Sequence, residues 1–305
     1  LTAIRETRPT LPVIIFSRLT ERGSQTTVDA LLLGASDYVT KPDDSTALEH
    51  CVRVELTAKI KTLAAVQRAA PPETRISRHK IELKSGPLPG PLAGQSVATQ
   101  GSARVSPARQ ANSVAEIVAI ATSTGGPNAL AFLLSSLPPS FATPIVIVQH
   151  MASGFTTTLA ESLRRQTGRD VQEVSTAMPL NAAAVWIAPG GRHLIVNRQG
   201  VVVQVVPDDG PPENSCCPSA DVLFRSVALE FGSRCLAVVL TGMGYDGLAG
   251  CRAIQGAGGR ILVQDQASSV SWGMPGQVAS AGLADQVLSL TDLPNAICRY
   301  ARRSG

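Results

Sequence analysis

The sequence predicts an α/β fold: a doubly wound, mostly parallel sheet with flanking helices, preceded by a smaller, partial α/β domain. Strand-like apolar runs alternate with helical segments from residue 114 onward, and a shorter alternation precedes them. Such alternation is typical of parallel sheets, because parallel strands need crossover connections. A proline-rich stretch separates the two alternating regions, and 305 residues are enough for two domains.

Composition excludes several functional classes. Hydrophobic residues make up 44% of the chain and charged residues 16%, which permits a large core. The net charge of +4 is small and aromatic residues are only 4%, so we expect no nucleic acid partner. No run of apolar residues reaches the length of a membrane span, and no signal peptide is visible, so we expect a cytoplasmic protein.

The cysteines give no sign of a metal site. None stands in a CxxC or comparable spacing, so we expect no metal, and scattered thiols are typical of a reducing compartment. The six are Cys51, Cys216, Cys217, Cys235, Cys251 and Cys298.

The first α/β region comprises residues 1–66. Residues 11–17 and 36–42 have the composition of buried strands. Residues 26–33 and 44–63 have helical patterns, so the order is strand, helix, strand, helix. Two parallel strands joined by a helix are therefore expected.

Polar residues end both of these strands. Ser17 follows the first, and Lys41 followed by Pro42 ends the second, so both lie at one edge of a parallel sheet. This pattern resembles the response-regulator receiver domain. The resemblance implies that Ser17 is the switch hydroxyl, that Lys41 contacts a phosphoryl group, and that a histidine kinase is the partner of the intact receiver.

Only the last two and a half βα units of a receiver are recognisable. The acidic pair and the phosphoacceptor aspartate of that family have no counterpart here, and the chain begins at Leu1 rather than Met. We therefore expect an N-terminally truncated chain. In it the partial domain would have an unpaired sheet edge and an uncovered apolar face, and would cover the second domain only weakly. Residues 67–112, rich in Pro, Ser and Arg, are expected to be a flexible linker to a second domain at 113–305.

The second domain is organised around residues 114–127. The β-branched run at 117–120 predicts a buried strand, and Gly125-Gly126-Pro127 leads into a helix over 128–137. Ser123 lies in the turn between them, where open α/β sheets place their ligands. From this stretch alone Ser123 is a nucleophile, part of a phosphate cradle, or a helix cap.

The remaining elements continue the alternation. A small antiparallel insert is expected near residues 184–206, where a strand pair flanks Gly200. The other predicted elements are strands at 144–149, 236–240 and 259–264 and helices at 156–166, 219–231 (capped by Ser219) and 293–302.

Three predicted strands end in residues suited to catalysis: Ser123, His150 and Asp246. Parallel strands bring their carboxyl ends to one edge, so these side chains can converge as nucleophile, base and orienting carboxylate. The backbone near Met243 could supply an oxyanion donor. His193 is an alternative base, and Asp221 and Asp265 are alternative carboxylates.

Six segments in order resemble the chemotaxis protein-glutamate methylesterase family. They are 123–127 (Ser-Thr-Gly-Gly-Pro), 149–151 (Gln-His-Met), 188–193, 218–224, 240–247 and 273–275 (Gly-Met-Pro). The resemblance assigns catalysis to Ser123, His150 and Asp246. The glycine-rich turn after Ser123 and the backbone near Met243 are expected to form the oxyanion and substrate loop, with Thr124, Gly125, Gly126 and Met243. Ala121-Thr122 stands where the motif usually begins with Gly-Ala.

The resemblance also implies a reaction. The enzyme would hydrolyse glutamyl methyl esters on the cytoplasmic helices of a chemoreceptor, without a cofactor, and would also deamidate glutamine side chains. It would reach the membrane only through its receptors. Two other functions stay open: a nucleotide-binding module that uses the glycine-rich turn, although GxGxxG and GxxxxGK[ST] are absent, and a regulator without catalytic activity.

Overall fold

The computed structural model describes residues 1–18, 21–42, 44, 48–49, 51–69 and 114–301. We call residues 1–69 the N-terminal unit and residues 114–301 the C-terminal domain. Most of the predicted linker lies outside the described residues.

The N-terminal unit contains a two-stranded parallel sheet in which Ser17 pairs in register with Thr40. The predicted strand–helix order is confirmed. The helix predicted at residues 26–33 begins earlier than its apolar pattern indicates, at Glu21. The last helix extends to Ala69 and so includes the first three residues of the predicted linker. The elements are α1 (Thr2–Thr7), β1 (Ile14–Arg18), α2 (Glu21–Leu32), β2 (Asp37–Lys41), a π-helical segment (Val52–Leu56) and α3 (Thr57–Ala69).

The C-terminal domain is built on a seven-stranded sheet in which every pairing is parallel. The strands are β3 (Ile117–Thr122), β4 (Ile145–Gln149), β5 (Val171–Glu173), β7 (Val185–Ile187), β10 (Cys235–Val239), β11 (Arg260–Gln264) and β12 (Gln286–Leu288). Their order in the sheet is β12-β11-β10-β3-β4-β7-β5, so β3 is the central strand. The predicted doubly wound, mostly parallel sheet is therefore confirmed.

Helices cover both faces of this sheet. Strand β3 shows why: Val118 and Ile120 enter one core cluster, whereas Ile117 and Ala119 enter the other. Successive side chains of a strand point to opposite faces, so a strand apolar throughout needs cover on both sides. The helices are α4 (Gly126–Ser136), α5 (Phe155–Thr167), α6 (Ala220–Phe231), α7 (Leu248–Gly256), α8 (Met274–Ser280) and α9 (Leu293–Tyr300), with a 3₁₀ turn at Gly232–Arg234.

The predicted antiparallel insert is a three-stranded sheet formed by β6 (Met178–Pro179), β8 (His193–Gln199) and β9 (Val202–Asp208). Strand β9 lies between the other two. Gly200, with a φ of 62°, stands in the tight turn between β8 and β9, where glycine carries no steric cost.

The N-terminal unit packs directly against the C-terminal domain. Val28, Leu31 and Tyr38 are buried in the same cluster that covers one face of the large sheet. The rings of Tyr38 and Phe155 lie 4.7 Å apart, between β2 and α5. The apolar face that we expected to be uncovered is therefore partly buried by the neighbouring domain. Strand β1 has no fully buried residue, and Phe16 is 40% exposed.

Candidate active site

Ser123 lies one residue beyond the central strand β3, at the middle of the sheet's carboxyl edge. Its amide donates to the carbonyl of Thr241 (3.0 Å), and its carbonyl accepts from Nε2 of Gln149 (3.0 Å). Contacts from both neighbouring strands thus fix the backbone of Ser123 and leave its side chain half-buried.

The glycines around Ser123 are needed because the backbone segments approach closely. A Cβ on Gly242 would lie 2.9 Å from the Cβ of Ser123, and a Cβ on Gly126 would lie 2.0 Å from Oε1 of Gln149. Thr122, which departs from the family motif, fits because its hydroxyl donates to the Thr241 carbonyl (2.9 Å) inside the core. A larger residue at either glycine would displace the turn that carries Ser123.

His150 and Asp246 form a close pair at the same edge. Nε2 of His150 lies 2.7 Å from Oδ2 of Asp246, with the side chains 16% and 2% exposed. A carboxylate only accepts hydrogen bonds, so in the neutral form of His150 it is Nε2 that carries the proton and Nδ1 that keeps a lone pair. The structure therefore gives His150 the tautomer that a general base needs.

The N-terminus of helix α6 holds Asp246 from the other side. Its Oδ1 accepts from the hydroxyl of Ser219 (2.7 Å) and the amide of Asp221 (3.2 Å), and its Oδ2 accepts from the amide of Ala220 (2.7 Å). Negative charge is favoured at a helix N-terminus. Asp246 is thereby fixed in position as the ionised form.

The protonation equilibria of this pair follow from those contacts. Burial alone would raise the pKa of Asp246, but the hydrogen bond from His150 and the α6 donors outweigh it and lower that pKa. Burial alone would lower the pKa of His150, but the hydrogen bond to Asp246 and a contact with Cys216 outweigh it and raise that pKa. The pair therefore favours an imidazolium beside a carboxylate, the form reached after proton transfer from a nucleophile.

Ser123 and His150 occupy equivalent positions on neighbouring strands. Thr122 pairs with Gln149 in register, so each of the two residues follows that pair by one position, and the His150 amide donates to the Thr122 carbonyl (3.0 Å). Among the residues that the structure describes, no hydrogen bond joins the Ser123 hydroxyl to His150. Such bonds are often long before substrate binds.

The four residues expected to form the oxyanion and substrate loop differ in whether their backbone amides already have acceptors. The Gly126 amide donates to the Ser123 carbonyl (2.8 Å), which closes the turn, and the Gly125 amide donates to the Ser36 carbonyl of the N-terminal unit (2.9 Å). Both amides therefore already donate to backbone carbonyls. Within the described parts of the chain, the amides of Thr124 and Met243 have no acceptor.

His193, the alternative base, has backbone partners on both sides of its ring. It is 1% exposed, its Nδ1 accepts from the Ser219 amide (3.0 Å), and its Nε2 lies 3.0 Å from the Pro211 carbonyl. Both ring nitrogens are thus occupied by the backbone. His193 positions the residue that caps α6 and binds Asp246.

The two alternative carboxylates also have structural partners. Asp221 accepts from the Gly250 amide (2.6 Å) and from Asn214 (2.9 Å), and burial raises its pKa. Asp265 accepts from the amide and hydroxyl of Ser268 at 2.9 and 2.6 Å. Neither is in contact with His150.

Three site residues were not predicted in their observed roles. Ser219 was expected only as a helix cap, which it is, but its hydroxyl also binds Asp246. Gln149 holds the carbonyl of Ser123. Cys216 lies beside His150 and Asp246, and these three are a group among the described residues that could hold a metal ion. Their sequence spacing gives no signal of that proximity.

Ser17 and Lys41 lie at the carboxyl ends of β1 and β2, as their place in the sequence predicts. The hydroxyl of Ser17 donates to the neighbouring Arg18 carbonyl (3.4 Å), and the Lys41 ammonium lies 6.0 Å from the ring centre of Phe16. Their proposed response to a phosphoryl group stays a prediction.

A parallel α/β sheet whose carboxyl edge brings together a serine, and a histidine paired with a buried carboxylate, is the arrangement of a serine hydrolase. The order Ser, His, Asp along the chain differs from that of the α/β-hydrolases, which is Ser, Asp, His. No helix in the described part of the chain is both long and apolar enough to cross a membrane.

Comparisons with known proteins name the family. The family model for CheB methylesterase matches residues 118–297. A protein-glutamate methylesterase/protein-glutamine glutaminase from Trichodesmium erythraeum is 46% identical, over 98% of this chain and 80% of that protein. One of the same name from a Nocardioides species is 43% identical, over 99% of this chain and 78% of that protein. The chain belongs to the CheB methylesterase family.

A solved structure agrees with this assignment. The CheB methylesterase catalytic domain of Thermotoga maritima is 36% identical to this chain, with a TM-score of 0.59. The match covers 61% of this chain and 98% of the solved one, and the C-terminal domain alone accounts for a match of that length. The resemblance expected from the sequence motifs is thus confirmed.

Proposed function

We propose that this chain hydrolyses glutamyl methyl esters of chemoreceptors, with Ser123 as nucleophile, His150 as base and Asp246 as orienting carboxylate. The observation that carries the proposal is the buried His150–Asp246 pair, 2.7 Å apart, beside Ser123 at the carboxyl edge of the central strand. Family membership supports the same reaction.

Acylation follows from this geometry. The Ser123 hydroxyl attacks the ester carbonyl while Nδ1 of His150 takes its proton, and Asp246 stabilises the imidazolium that forms. The amides of Thr124 and Met243 flank Ser123 and have no other acceptor among the described residues, so they would donate to the developing oxyanion. His150 then returns the proton to the leaving methoxide, and methanol departs.

Deacylation uses the same groups in reverse. A water molecule gives a proton to His150 and attacks the acyl-enzyme, which releases a glutamate side chain and regenerates Ser123. An amide in place of the ester gives ammonia as the leaving group, so the same site would deamidate glutamine. Relatives carry both activities in their name.

The partners follow from the substrate. A chemoreceptor's methylated helices are cytoplasmic, so we place the enzyme in the cytoplasm and at the membrane only through its receptors. The structure describes all six cysteines and joins none of them in a disulfide, in keeping with a reducing compartment. The N-terminal unit's resemblance to a receiver supports a histidine kinase as the partner of the intact receiver.

The nucleotide-binding alternative loses its main support. A phosphate cradle needs backbone amides that point at the ligand. Those of Gly125 and Gly126 are bound to the carbonyls of Ser36 and Ser123. The non-catalytic alternative finds no support in the relatives, which are named as enzymes.

A fluorophosphonate probe tests the proposal, because it labels only an activated serine. We expect one adduct on the full chain, located by peptide mass mapping at Ser123 and absent from Ser123→Ala. Ser153→Ala, which removes an exposed hydroxyl nearby, should label as the parent does. An adduct elsewhere, or none on protein that hydrolyses methylated receptor, would refute Ser123 as the nucleophile.

A further inference from the structure

Three side chains that the sequence does not connect meet beside the proposed catalytic base. One ring nitrogen of His150, Sγ of Cys216 and a carboxylate oxygen of Asp246 all lie within 4.8 Å of one another. His150 and Asp246 belong to the proposed reaction, whereas Cys216 has no role in it. These atoms are a nitrogen, a sulfur and an oxygen donor around one point.

The chemistry of this donor set favours zinc. Zn²⁺ binds Cys, His and carboxylate ligands tetrahedrally at about 2.0–2.3 Å, which places the ligand atoms roughly 3.3–3.8 Å apart. Atoms now within 4.8 Å of one another need to move by less than roughly 1 Å each to reach that spacing. A thiolate ligand disfavours Mg²⁺ and Ca²⁺, which take oxygen donors. One thiolate and one carboxylate would also balance the charge of a divalent ion.

The surroundings hold one of the three side chains in place and leave the other two able to adjust. Asp246 is fixed by the N-terminus of α6, so it provides a rigid ligand. Cys216 lies in a short loop, where its amide and carbonyl pair with Glu213 at 2.8 and 3.1 Å. Its side chain is half-buried, and that of His150 is 16% exposed. A metal ion could therefore reach the group from solvent and take a water or substrate oxygen as its fourth ligand.

We propose that His150, Cys216 and Asp246 form an inhibitory site for Zn²⁺. The inhibition rests on the proposed function, because it requires His150 as the base. Coordination through Nδ1 takes up the lone pair that would accept the Ser123 proton. Coordination through Nε2 instead displaces the hydrogen bond to Asp246 that orients the ring. In either case the displaced protons, including that of the Cys216 thiol, go to solvent, and no oxidant or reductant is needed.

Inhibition is the first test. Zn²⁺ added to the full chain should slow hydrolysis of methylated receptor, and a chelator should restore the rate. In Cys216→Ser the zinc concentration for half-inhibition, normalised to that variant's own metal-free rate, should rise at least about tenfold, since loss of even a group that only hydrogen-bonds a ligand weakens metal binding about 10- to 100-fold. Cys217→Ser is the matched control: it removes the adjacent, similarly exposed thiol and should be inhibited as the parent is. Equal zinc sensitivity in the parent and Cys216→Ser would overturn the proposal.

Binding without turnover is the second test. Co²⁺ replaces Zn²⁺ in such sites, and a cobalt–thiolate bond gives a near-ultraviolet charge-transfer band. We expect that band in the parent chain, in Cys217→Ser and in Ser123→Ala, and not in Cys216→Ser. Absence of the band from the parent, or its loss from Cys217→Ser instead, would refute the site. The band reports metal binding and needs no turnover. A band in Ser123→Ala would therefore show that the metal site exists whether or not Ser123 is the nucleophile.

Discussion

The two regions of this chain share a βα pattern but differ in how their strands are buried. Every residue of β3 is buried between two helix layers, and strands pair with both of its edges. In β1 no residue is fully buried, and among the described residues it pairs only with β2. A strand held on all sides positions its end residues rigidly, whereas a two-stranded sheet is marginal on its own. The N-terminal unit therefore depends on the domain beside it.

The contacts between the regions concentrate at the site. Ser36 accepts from the Gly125 amide, Asp37 accepts from the Thr124 hydroxyl (2.5 Å), and the Tyr38 hydroxyl accepts from the Ala152 amide (2.9 Å). These three consecutive residues touch the turns that follow β3 and β4, which carry Ser123 and His150. The less stable region is thus held by the segments that carry the proposed nucleophile and base.

If the rigid sheet edge carries the chemistry, the largest loss should come from Ser123. Ser123→Ala should lower turnover of methylated receptor by about 10⁴- to 10⁶-fold. Removing one half-buried hydroxyl leaves almost no cavity, so the melting temperature should stay near that of the parent. Ser153→Ala is the control. A Ser123→Ala variant with most of its activity would contradict the proposed mechanism.

Asp246→Asn should cost somewhat less, about 10³- to 10⁴-fold in turnover. An asparagine has one acceptor oxygen, and its NH₂ group must face a donor from Ser219, Ala220 or His150. Either the α6 N-terminus or the imidazole then loses its partner. Asp209→Asn, at a 76% exposed surface ion pair, should leave turnover unchanged. If Asp246→Asn kept its turnover as near to the parent's as Asp209→Asn, the proposed role of Asp246 would be refuted.

The dependence of the N-terminal unit on its neighbour can be weakened at Tyr38. Tyr38→Phe keeps the ring against Phe155 but removes the acceptor for the Ala152 amide. Loss of that hydrogen bond should weaken the contact between the two regions by about 1 kcal/mol. If the contact restrains the His150 turn, turnover should rise by up to several-fold. Tyr300→Phe, which removes a hydroxyl bonded to Gln286 at the far edge of the sheet, should not change it. Unchanged or lower turnover in Tyr38→Phe would show that this contact does not restrain the site.

The smallest effect on rate is expected at His193. His193→Gln should lower stability by about 1–3 kcal/mol, because it disturbs two buried backbone partners, the Ser219 amide and the Pro211 carbonyl. Turnover of the folded variant should fall only a few-fold, because Ser219 still caps α6. Thermal melts and single-turnover acylation separate the two effects. A well-folded variant that forms no acyl-enzyme would make His193 the base.

The sequence by itself determined the sheet and the place on it of the residues that we propose to react. Ser123 and His150 each follow an apolar run that strand composition identifies, and parallel pairing necessarily brings the ends of such runs to one edge. The helix cap at Ser219 was likewise evident, because a capping residue acts on its own helix. These are local properties, so the order of residues is sufficient to predict them.

Only the tertiary structure decided how each polar group is used. His150 and His193 look alike in the sequence, yet the fold gives one a carboxylate partner and a lone pair and surrounds the other with backbone partners. The Gly125 amide was expected to donate a hydrogen bond to an oxyanion. It donates instead to the carbonyl of Ser36, which lies 89 positions earlier in the chain. Cys216 meets His150 and Asp246 although no spacing predicts it. Each outcome depends on contacts between residues far apart in the chain, and such contacts are set by how the elements pack.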